Sequence, residues 1–178
     1  MIEFTELEDS RYRRFAEDLF EEAFPLNERP EFRTVEDRKD KNFHFMVVTN
    51  DDEPIGIFTY WEFPGLNYIE HFAIDKEMRG QGMGRATMLN FMMQHPEQVV
   101  LEIEEPNTEQ ADHRLEFYSD LGFTRQAQDY VQPSYHGSNG DQVPMIIMSK
   151  YELDDGEFEE VRNVLYKNVY HYDEKRGI

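Results

Sequence analysis

A glycine-rich segment is the part of this sequence best suited to chemistry. It spans residues 79–85 and lies between an apolar stretch that ends at Ile74 and a run with helical spacing. Glycines let the backbone turn sharply, and the free amides at a helix N-terminus lie at the positive end of the helix dipole. This combination favours a bound anion, above all a phosphate group.

The spacing of the glycines excludes two common phosphate-binding motifs. A P-loop requires Gly-Lys-Ser/Thr, and a dinucleotide-binding loop requires a third glycine three residues after the second. Here the glycine that follows Gly82 is Gly84, so neither template fits. A tight turn whose glycines meet steric needs alone is the simpler alternative. Arg79 and Arg85 favour an anion site, because only six basic residues occur between residues 42 and 150.

Composition limits the classes of function. The chain has 178 residues, with 38 acidic and 18 basic side chains, which gives a net charge of -20. This charge repels polyanions and argues against a nucleic-acid partner. It weakly favours an amine-bearing partner, although solubility alone would explain it. Because the chain has no cysteine, disulfides, thiolate metal sites and a cysteine nucleophile are excluded. The six histidines lack metal-ligand spacing, so no metal is predicted.

The apolar content predicts a folded protein away from membranes. Aromatic residues make up 14% of the chain, which is enough for a core without metal or disulfide support. No apolar run approaches the roughly 20 residues that a membrane-spanning helix needs. The N-terminus is acidic where a signal peptide is basic. These features predict a cytoplasmic protein with no membrane partner.

Hydrophobic periodicity predicts alternating helices and strands. Helices are expected from an N-cap at Ser10 to Pro25, and over residues 83–95, 109–121 (closed by Gly122) and 154–172, with a loop and a short helix over 26–41. The predicted strands span residues 43–49, 55–63, 66–74, 99–104, 123–131 and 143–151. Three successive strands with tight turns predict an antiparallel meander. The strand, helix and strand that follow predict a crossover with parallel strands, and therefore a mixed sheet.

Two segments resemble signatures of the GNAT acetyl-CoA-dependent N-acetyltransferases. Residues 79–84 are similar to the family's R/Q-x-x-G-x-G/A motif, and Tyr118 stands four residues before Gly122-Phe123, as in the family's second motif. The resemblance covers residues 2–150. It implies an α/β (α+β) fold with a mixed, mostly antiparallel sheet of about seven strands, splayed fourth and fifth strands and flanking helices. It also implies a GNAT domain at 1–151 and a C-terminal helical extension at 152–178 packed on that domain.

The resemblance implies acetyl-CoA as co-substrate. Its pyrophosphate would lie on the amides of the glycine segment, and its pantetheine arm would pair with the fourth strand. The implied cofactor-binding residues are Phe72, Ala73, Ile74, Arg79, Gly80, Gln81, Gly82, Met83, Gly84, Arg85 and Tyr118. Asn107 and Arg114 are further candidates. Many relatives carry an asparagine seven residues before the tyrosine, where this chain has Ala111, and Arg114 could equally form a surface ion pair.

The same resemblance implies the catalytic residues. Tyr118 matches the general acid that protonates the CoA thiolate, although its ring could also be part of the core. Glu70 and His71 in the fourth strand and Glu102 in the fifth are the candidate bases, and each could instead be a solvated or salt-bridged strand position. Strand alternation predicts that Glu70 and His71 lie on opposite faces, so that only one of them can serve.

Three functions are compatible with these features. The first is transfer of an acetyl group from acetyl-CoA to a primary amine of a small molecule or peptide by direct attack. The second is a non-catalytic acyl-CoA-binding or sensory module on the same fold, and the third is an acidic interaction protein whose glycine segment is only a turn. Residues 26–41 and 132–141, with Tyr135 and His136, are expected to shape the amine site. The terminal helix is expected to cover its own domain or, alternatively, a second subunit of a homodimer.

Overall fold

The computed structural model describes residues 1–7, 11–136 and 142–172, which form two compact units. The first, here called the N-terminal unit, comprises Met1–Pro25 and Glu31–Val100. The second, the C-terminal unit, comprises Leu26–Pro30 and the chain from Leu101 onward. None of the helices in these described ranges is long and apolar enough to cross a membrane.

The strands of the N-terminal unit form an antiparallel meander. Their bounds are β1 Ile2–Glu6, β2 Phe43–Asn50, β3 Glu53–Phe63 and β4 Leu66–Ile74. Neighbours follow chain order, and β5 (Gln98–Glu104) begins beside β4 and parallel to it. The predicted meander and crossover are therefore confirmed. The sequence did not predict β1, which is too short for its periodicity to stand out and is defined by its pairing along β2.

Helices of the N-terminal unit are α1 Arg13–Ala23, α2 Phe32–Glu36 and α3 Met83–Gln94. Phe20 of α1 packs in a buried cluster, with its ring centroid 5.8 Å from that of Phe32 and 6.1 Å from that of Phe45. The predicted N-cap Ser10 lies outside the described residues. Tyr12 occupies the N-cap position of α1 and makes no capping hydrogen bond with its side chain.

The C-terminal unit contains the second half of β5. Its other elements are α4 Glu109–Asp120, β6 Thr124–Arg125, β7 Tyr130–Gln132, β8 Val143–Ser149 and α5 Asp155–Val164. Strand β8 lies between β5 and β6, and β7 also pairs with β8. Thr108 caps α4, and Gly122 follows this helix with a φ of 90°, as expected at a helix C-terminus. The strands form the mixed, mostly antiparallel sheet that the resemblance implied.

The prediction of one strand over 123–131 is wrong. Arg125 pairs with Met148 and Tyr130 with Met145, so the four residues between Arg125 and Tyr130 lie opposite only two residues of β8. The extra residues interrupt the strand after Gln126, which still bonds to β8: its backbone amide donates to the Ile147 carbonyl at 2.9 Å and its side chain donates to Ser149 Oγ at 2.7 Å. The terminal helix also differs from its prediction. It is α-helical only to Val164 and continues as a π-helical turn, Leu165–Val169.

Candidate active site

The glycine segment is fixed to the end of β4 by local hydrogen bonds. Asp75 accepts from the amide of Glu77 at 2.8 Å, which starts a 3₁₀ turn over Lys76–Met78. Arg79 Nε donates to the carbonyl of Ile74 at 2.8 Å. Part of the Arg79 guanidinium therefore supports the loop itself. These bonds connect nearby residues, which is why the motif could be recognised in the sequence.

The geometry of the loop fits an anion. Gly80 and Gly82 have φ values of 73° and 78°, a left-handed conformation that residues with a Cβ rarely adopt. Apart from each glycine's own chain neighbours, no heavy atom of the described residues lies within 4 Å of the place where either Cβ would stand, so these residues leave the space beside the loop open. Gly82 is the N-cap of α3 and offers no side chain to the first-turn amides, which have no acceptor inside the helix. A diphosphate can supply those acceptors.

A β-bulge in β4 changes the expected orientation of two candidate bases. Thr59 pairs with His71 and Tyr60 with Ile69, which leaves Glu70 as an extra residue. His71 packs on the rings of Phe20 and Phe24, on the face of the sheet that α1 covers. Glu70 accepts a hydrogen bond from Trp61, and Trp61 lies two residues after Thr59 in β3, so the side chains of Trp61 and Thr59 are on the same face. Thr59 is the residue that pairs with His71, so Glu70 and His71 are directed to one face. The prediction of opposite faces is therefore wrong, because the bulge interrupts strand alternation. Phe72, Ala73 and Ile74 follow the bulge and pair regularly with β3.

Glu70 is a buried carboxylate in an ion pair. Its side chain is 0% exposed, and Oε2 accepts from Arg38 Nη1 and from Trp61 Nε1, both at 2.7 Å. Burial acts to raise the pKa of Glu70, but the charges of Arg38 and His71 and the two hydrogen bonds bring it below its ordinary value of 4.5. Glu70 is consequently ionised at neutral pH. Among the described residues, Oε1 has no hydrogen-bond partner.

His71 lies inside the core of the N-terminal unit. It is 2% exposed, and its Nδ1 is 3.2 Å from Thr59 Oγ1. Its ring centroid is 4.9 Å from that of Phe20 and 4.8 Å from that of Phe24, both in edge-to-face geometry. The contacts of His71 are thus those of a core histidine.

Tyr118 is a buried phenol in the C-terminal unit. It packs edge-to-face on Phe117 and Phe123, with centroid distances of 5.1 and 5.8 Å. Burial raises its pKa to about 12, with opposing smaller effects from Arg114 and Glu104. Tyr118 therefore keeps its proton at neutral pH. Within the ranges that the structure describes, its hydroxyl makes no hydrogen bond.

Glu102 on β5 is the centre of a polar cluster in the same unit. Tyr130 donates its hydroxyl to Oε1, while Gln132 Nε2 and the Tyr170 hydroxyl donate to Oε2, the latter at 2.7 Å. Burial and the charge of Glu102 raise the pKa of Tyr130 well above its ordinary value. Glu102 itself is partly exposed, whereas all three donors are buried. Its carboxylate is thus held in place by donors on both oxygens.

The remaining candidates of the C-terminal unit lie near one another. Arg114 forms a salt bridge with Glu104, the alternative that the sequence left open. Asn107 is exposed, and its backbone amide donates to the backbone carbonyl of Glu105 at 2.8 Å. Glu28 was not singled out in the sequence. Partial burial and the nearby Glu104 raise its pKa, with a smaller opposing effect of Arg114.

The two segments expected to shape the amine site meet within the C-terminal unit. His136 Nε2 lies 2.8 Å from the carbonyl oxygen of Leu26. The ring of Tyr135 lies 5.1 Å from that of Tyr170. Residues 137–141 of the second segment lie outside the described residues.

Sequence reasoning missed Arg38, Tyr130, Gln132 and Tyr170. Arg38 is part of a charged stretch that looked like a solvated surface. Tyr170 lies beside the apolar stripe of the terminal helix, formed by Phe158, Val161, Leu165 and Val169, and was expected only to help this helix cover its own domain or a second subunit. Their partners are 32 and 68 residues away, so no local pattern marks them.

Comparison with known proteins identifies the family. A family model for the acetyltransferase (GNAT) domain matches residues 41–125. A structure from Bacteroides thetaiotaomicron, described as an acetyltransferase of the GNAT family, is 34% identical with a TM-score of 0.88, and the match covers 97% of this chain and 99% of that one. The chain therefore belongs to the GNAT acetyltransferase family.

More distant structures share the fold alone. The ribosomal-protein-S18-alanine N-acetyltransferase from Escherichia coli is 17% identical with a TM-score of 0.59, over 87% of this chain and 96% of that one. A GNAT-family acetyltransferase from Elizabethkingia anophelis, solved with acetyl-CoA bound, is 12% identical with a TM-score of 0.57, over 85% and 97% of the two chains. No protein of curated function matches this chain in sequence.

Proposed function

We propose that this protein transfers the acetyl group of acetyl-CoA to a primary amine of a small molecule or peptide. The observation that carries the proposal is the open glycine loop at the N-terminus of α3, which fits a diphosphate. Membership of the GNAT family supports acetyl transfer as the reaction. A cytoplasmic location, a homodimer and a domain boundary near residue 151 stay predictions.

The N-terminal unit carries the residues proposed to hold acetyl-CoA. The amides of residues 81–85 would bind the pyrophosphate, and the main chain of residues 72–74 would pair with the pantetheine arm. When bound, acetyl-CoA supplies the acetyl group as an activated thioester. Backbone amides of β4 near the bulge would donate to the oxygen that becomes negative during attack.

Glu102 is the proposed proton acceptor among the three candidate bases. Glu70 is fully buried, ion-paired with Arg38 and has a lowered pKa, so it is poorly suited to holding a proton at neutral pH. His71 is 2% exposed and packed between aromatic rings. Glu102 is partly exposed and held by three donors. The acceptor would attack as the neutral amine, after its ammonium form has lost one proton to water, and Glu102 would take the second proton, which becomes more acidic once the nitrogen is bonded to the carbonyl carbon.

Tyr118 is proposed to stabilise the leaving sulfur by a hydrogen bond. A thiol has an ordinary pKa of about 8.5, so complete transfer from a phenol whose pKa is raised to about 12 would be uphill by roughly 5 kcal/mol. A hydrogen bond needs no such transfer, and the Tyr118 hydroxyl has no competing partner among the described residues. Tyr118 thus serves as a donor to the developing thiolate.

Two measurements test the proposed function. Acetyl-CoA at a hundred times its Kd should stabilise the protein by about 2.7 kcal/mol in thermal unfolding. Release of free CoA thiol is then followed with a polyamine, an aminoglycoside, a lysine peptide and a peptide with a free N-terminal alanine. Absence of binding would favour the interaction protein, whereas binding without thiol release would favour the non-catalytic module.

Tyr118→Phe should lower kcat about a hundredfold, the lower end of what one hydrogen-bond donor to a developing negative charge contributes. The ring and its edge-to-face contacts are kept, so the free energy of unfolding and the Kd for acetyl-CoA should change little. Thiol release at saturating acetyl-CoA measures the effect. Tyr151→Phe is the matched control. Because Tyr151 is 54% exposed, the kcat of this variant should equal that of the wild type. Unchanged kcat in Tyr118→Phe would remove Tyr118 from the mechanism.

A further inference from the structure

The end of the terminal helix contacts the proposed proton acceptor. After α5, the chain makes the π-helical turn Leu165–Val169, in which the amide of Tyr170 donates to the carbonyl of Leu165 at 3.1 Å. This turn directs the Tyr170 hydroxyl to Glu102 Oε2 at 2.7 Å. Single π-turns in helices are frequent at functional sites.

The segment that carries Tyr170 is firmly anchored. Leu165 and Val169 are buried, at 0% and 3% exposure. The Tyr166 hydroxyl donates to the carbonyl of Val131 at 2.6 Å, next to two of the residues that bind Glu102. These contacts fix the segment, and Tyr170 therefore has a defined position from which its hydroxyl binds the carboxylate of Glu102.

The donors around Glu102 come from two different parts of the unit. Tyr130 and Gln132 belong to β7 and are 28 and 30 residues from Glu102 in sequence, whereas Tyr170 is 68 residues away. Gln132 and Tyr170 share Oε2, and Tyr130 binds Oε1. With donors on both oxygens, rotation of the carboxylate about its last bond is restricted.

We propose that Tyr170 is a positioning residue for Glu102 and that the terminal helix is a working part of the active site. The inference rests on the proposed function, in which Glu102 accepts the proton that the acceptor nitrogen loses once it has bonded to the acetyl carbonyl carbon, and later releases that proton to water. Tyr170 touches neither substrate in this scheme. It keeps the carboxylate in the orientation that meets the amine, and small misplacements of such groups are costly.

The test is a double-mutant cycle between Tyr170→Phe and Glu102→Gln, measured on the panel amine that the wild type acetylates fastest. Tyr170→Phe alone should lower kcat about tenfold with an unchanged KM for acetyl-CoA. In the Glu102→Gln background, the same change should alter kcat less than about twofold, because the carboxylate it positions is gone. A purely structural role would lower kcat by the same factor in both backgrounds.

Tyr166→Phe is the matched control. It removes a hydroxyl from the same segment, and that hydroxyl donates to the Val131 carbonyl. Its effect on kcat should be equal in the two backgrounds, even if the unfolding temperature falls. If Glu102→Gln does not fold, Glu102→Asp, whose carboxylate is withdrawn by one methylene, takes its place in the cycle.

The outcomes separate this inference from the proposed function. A wild type that releases no thiol with any amine of the panel overturns both. Wild-type turnover with equal effects of Tyr170→Phe in the two backgrounds, or with no effect in either, overturns the positioning role and leaves acetyl transfer in place. Non-additivity for Tyr170→Phe together with additivity for Tyr166→Phe supports the inference.

Discussion

Gly84→Asp is expected to eliminate acetyl-CoA binding while leaving the protein folded. Gly84 is the second residue of α3, inside the proposed pyrophosphate site. A carboxylate there would lie near the diphosphate, and two like charges about 4 Å apart repel by roughly 4 kcal/mol at the effective dielectric of a protein surface. The Kd for acetyl-CoA should therefore rise by about a thousandfold.

The same substitution should not harm the helix. Aspartate in the first turn interacts favourably with the helix dipole, and any residue with a Cβ loses less entropy than glycine on folding. The thermal unfolding temperature without ligand should stay the same or rise. Calorimetric titration with acetyl-CoA measures the binding, and Gly84→Asn, which has the same shape without the charge, is the control. Binding of acetyl-CoA by the Asp variant as tight as by the wild type would place the pyrophosphate elsewhere, and equal losses in the Asp and Asn variants would assign the effect to the added side chain and not to its charge.

Arg38→Met is expected to lower the free energy of unfolding by about 3–5 kcal/mol at pH 7, as when one partner of a buried ion pair is removed. Glu70 is 0% exposed and Arg38 16% exposed, so the substitution leaves a buried carboxylate without its cation. Denaturant unfolding measures the loss. Arg33→Met, which removes an exposed pair with Asp37, should cost less than about 0.5 kcal/mol.

The destabilisation should depend on pH in a defined direction. In the wild type the pKa of Glu70 is below its ordinary value of 4.5, so its stabilising contribution is complete above that pH and is lost as the pH falls through the lowered value. Without Arg38, burial dominates and raises the pKa of Glu70. As the pH falls, protonation of Glu70 in the variant removes the uncompensated buried charge, and the loss of stability becomes smaller. The difference between wild type and Arg38→Met should therefore shrink toward acid pH.

A companion variant separates the ion pair from simple packing. Arg38→Met combined with Glu70→Gln removes both charges, so it should recover much of the stability lost in the single variant. The guanidinium also lies 4.6 Å from the ring centroid of Phe43 and 5.1 Å from that of Trp61, contacts that methionine keeps in part. Equal destabilisation in the single and double variants would show that packing, and not the buried charge, is responsible.

The sequence alone determined the class of protein. The glycine segment could be recognised because its structure depends on neighbours: left-handed glycines, the 3₁₀ turn at Asp75 and the start of α3 all lie within about ten residues. The same holds for α4, whose cap at Thr108 and terminal Gly122 are local signals. The second signature, around Tyr118, lies on this helix. Because these local patterns resemble the signatures of the GNAT family, they were enough to predict the fold and the reaction class.

Only the tertiary structure distinguished the candidate bases. Strand alternation was the sole basis for separating Glu70 from His71, and a one-residue bulge opposite Thr59 and Tyr60 overrides it. Whether a carboxylate is ionised, buried or held for proton transfer depends on partners that the chain brings from far away. Arg38 reaches Glu70 over 32 residues and Tyr170 reaches Glu102 over 68. Such contacts follow from packing and leave no periodic trace in the sequence, because a single hydrogen-bonding side chain has no pattern to repeat.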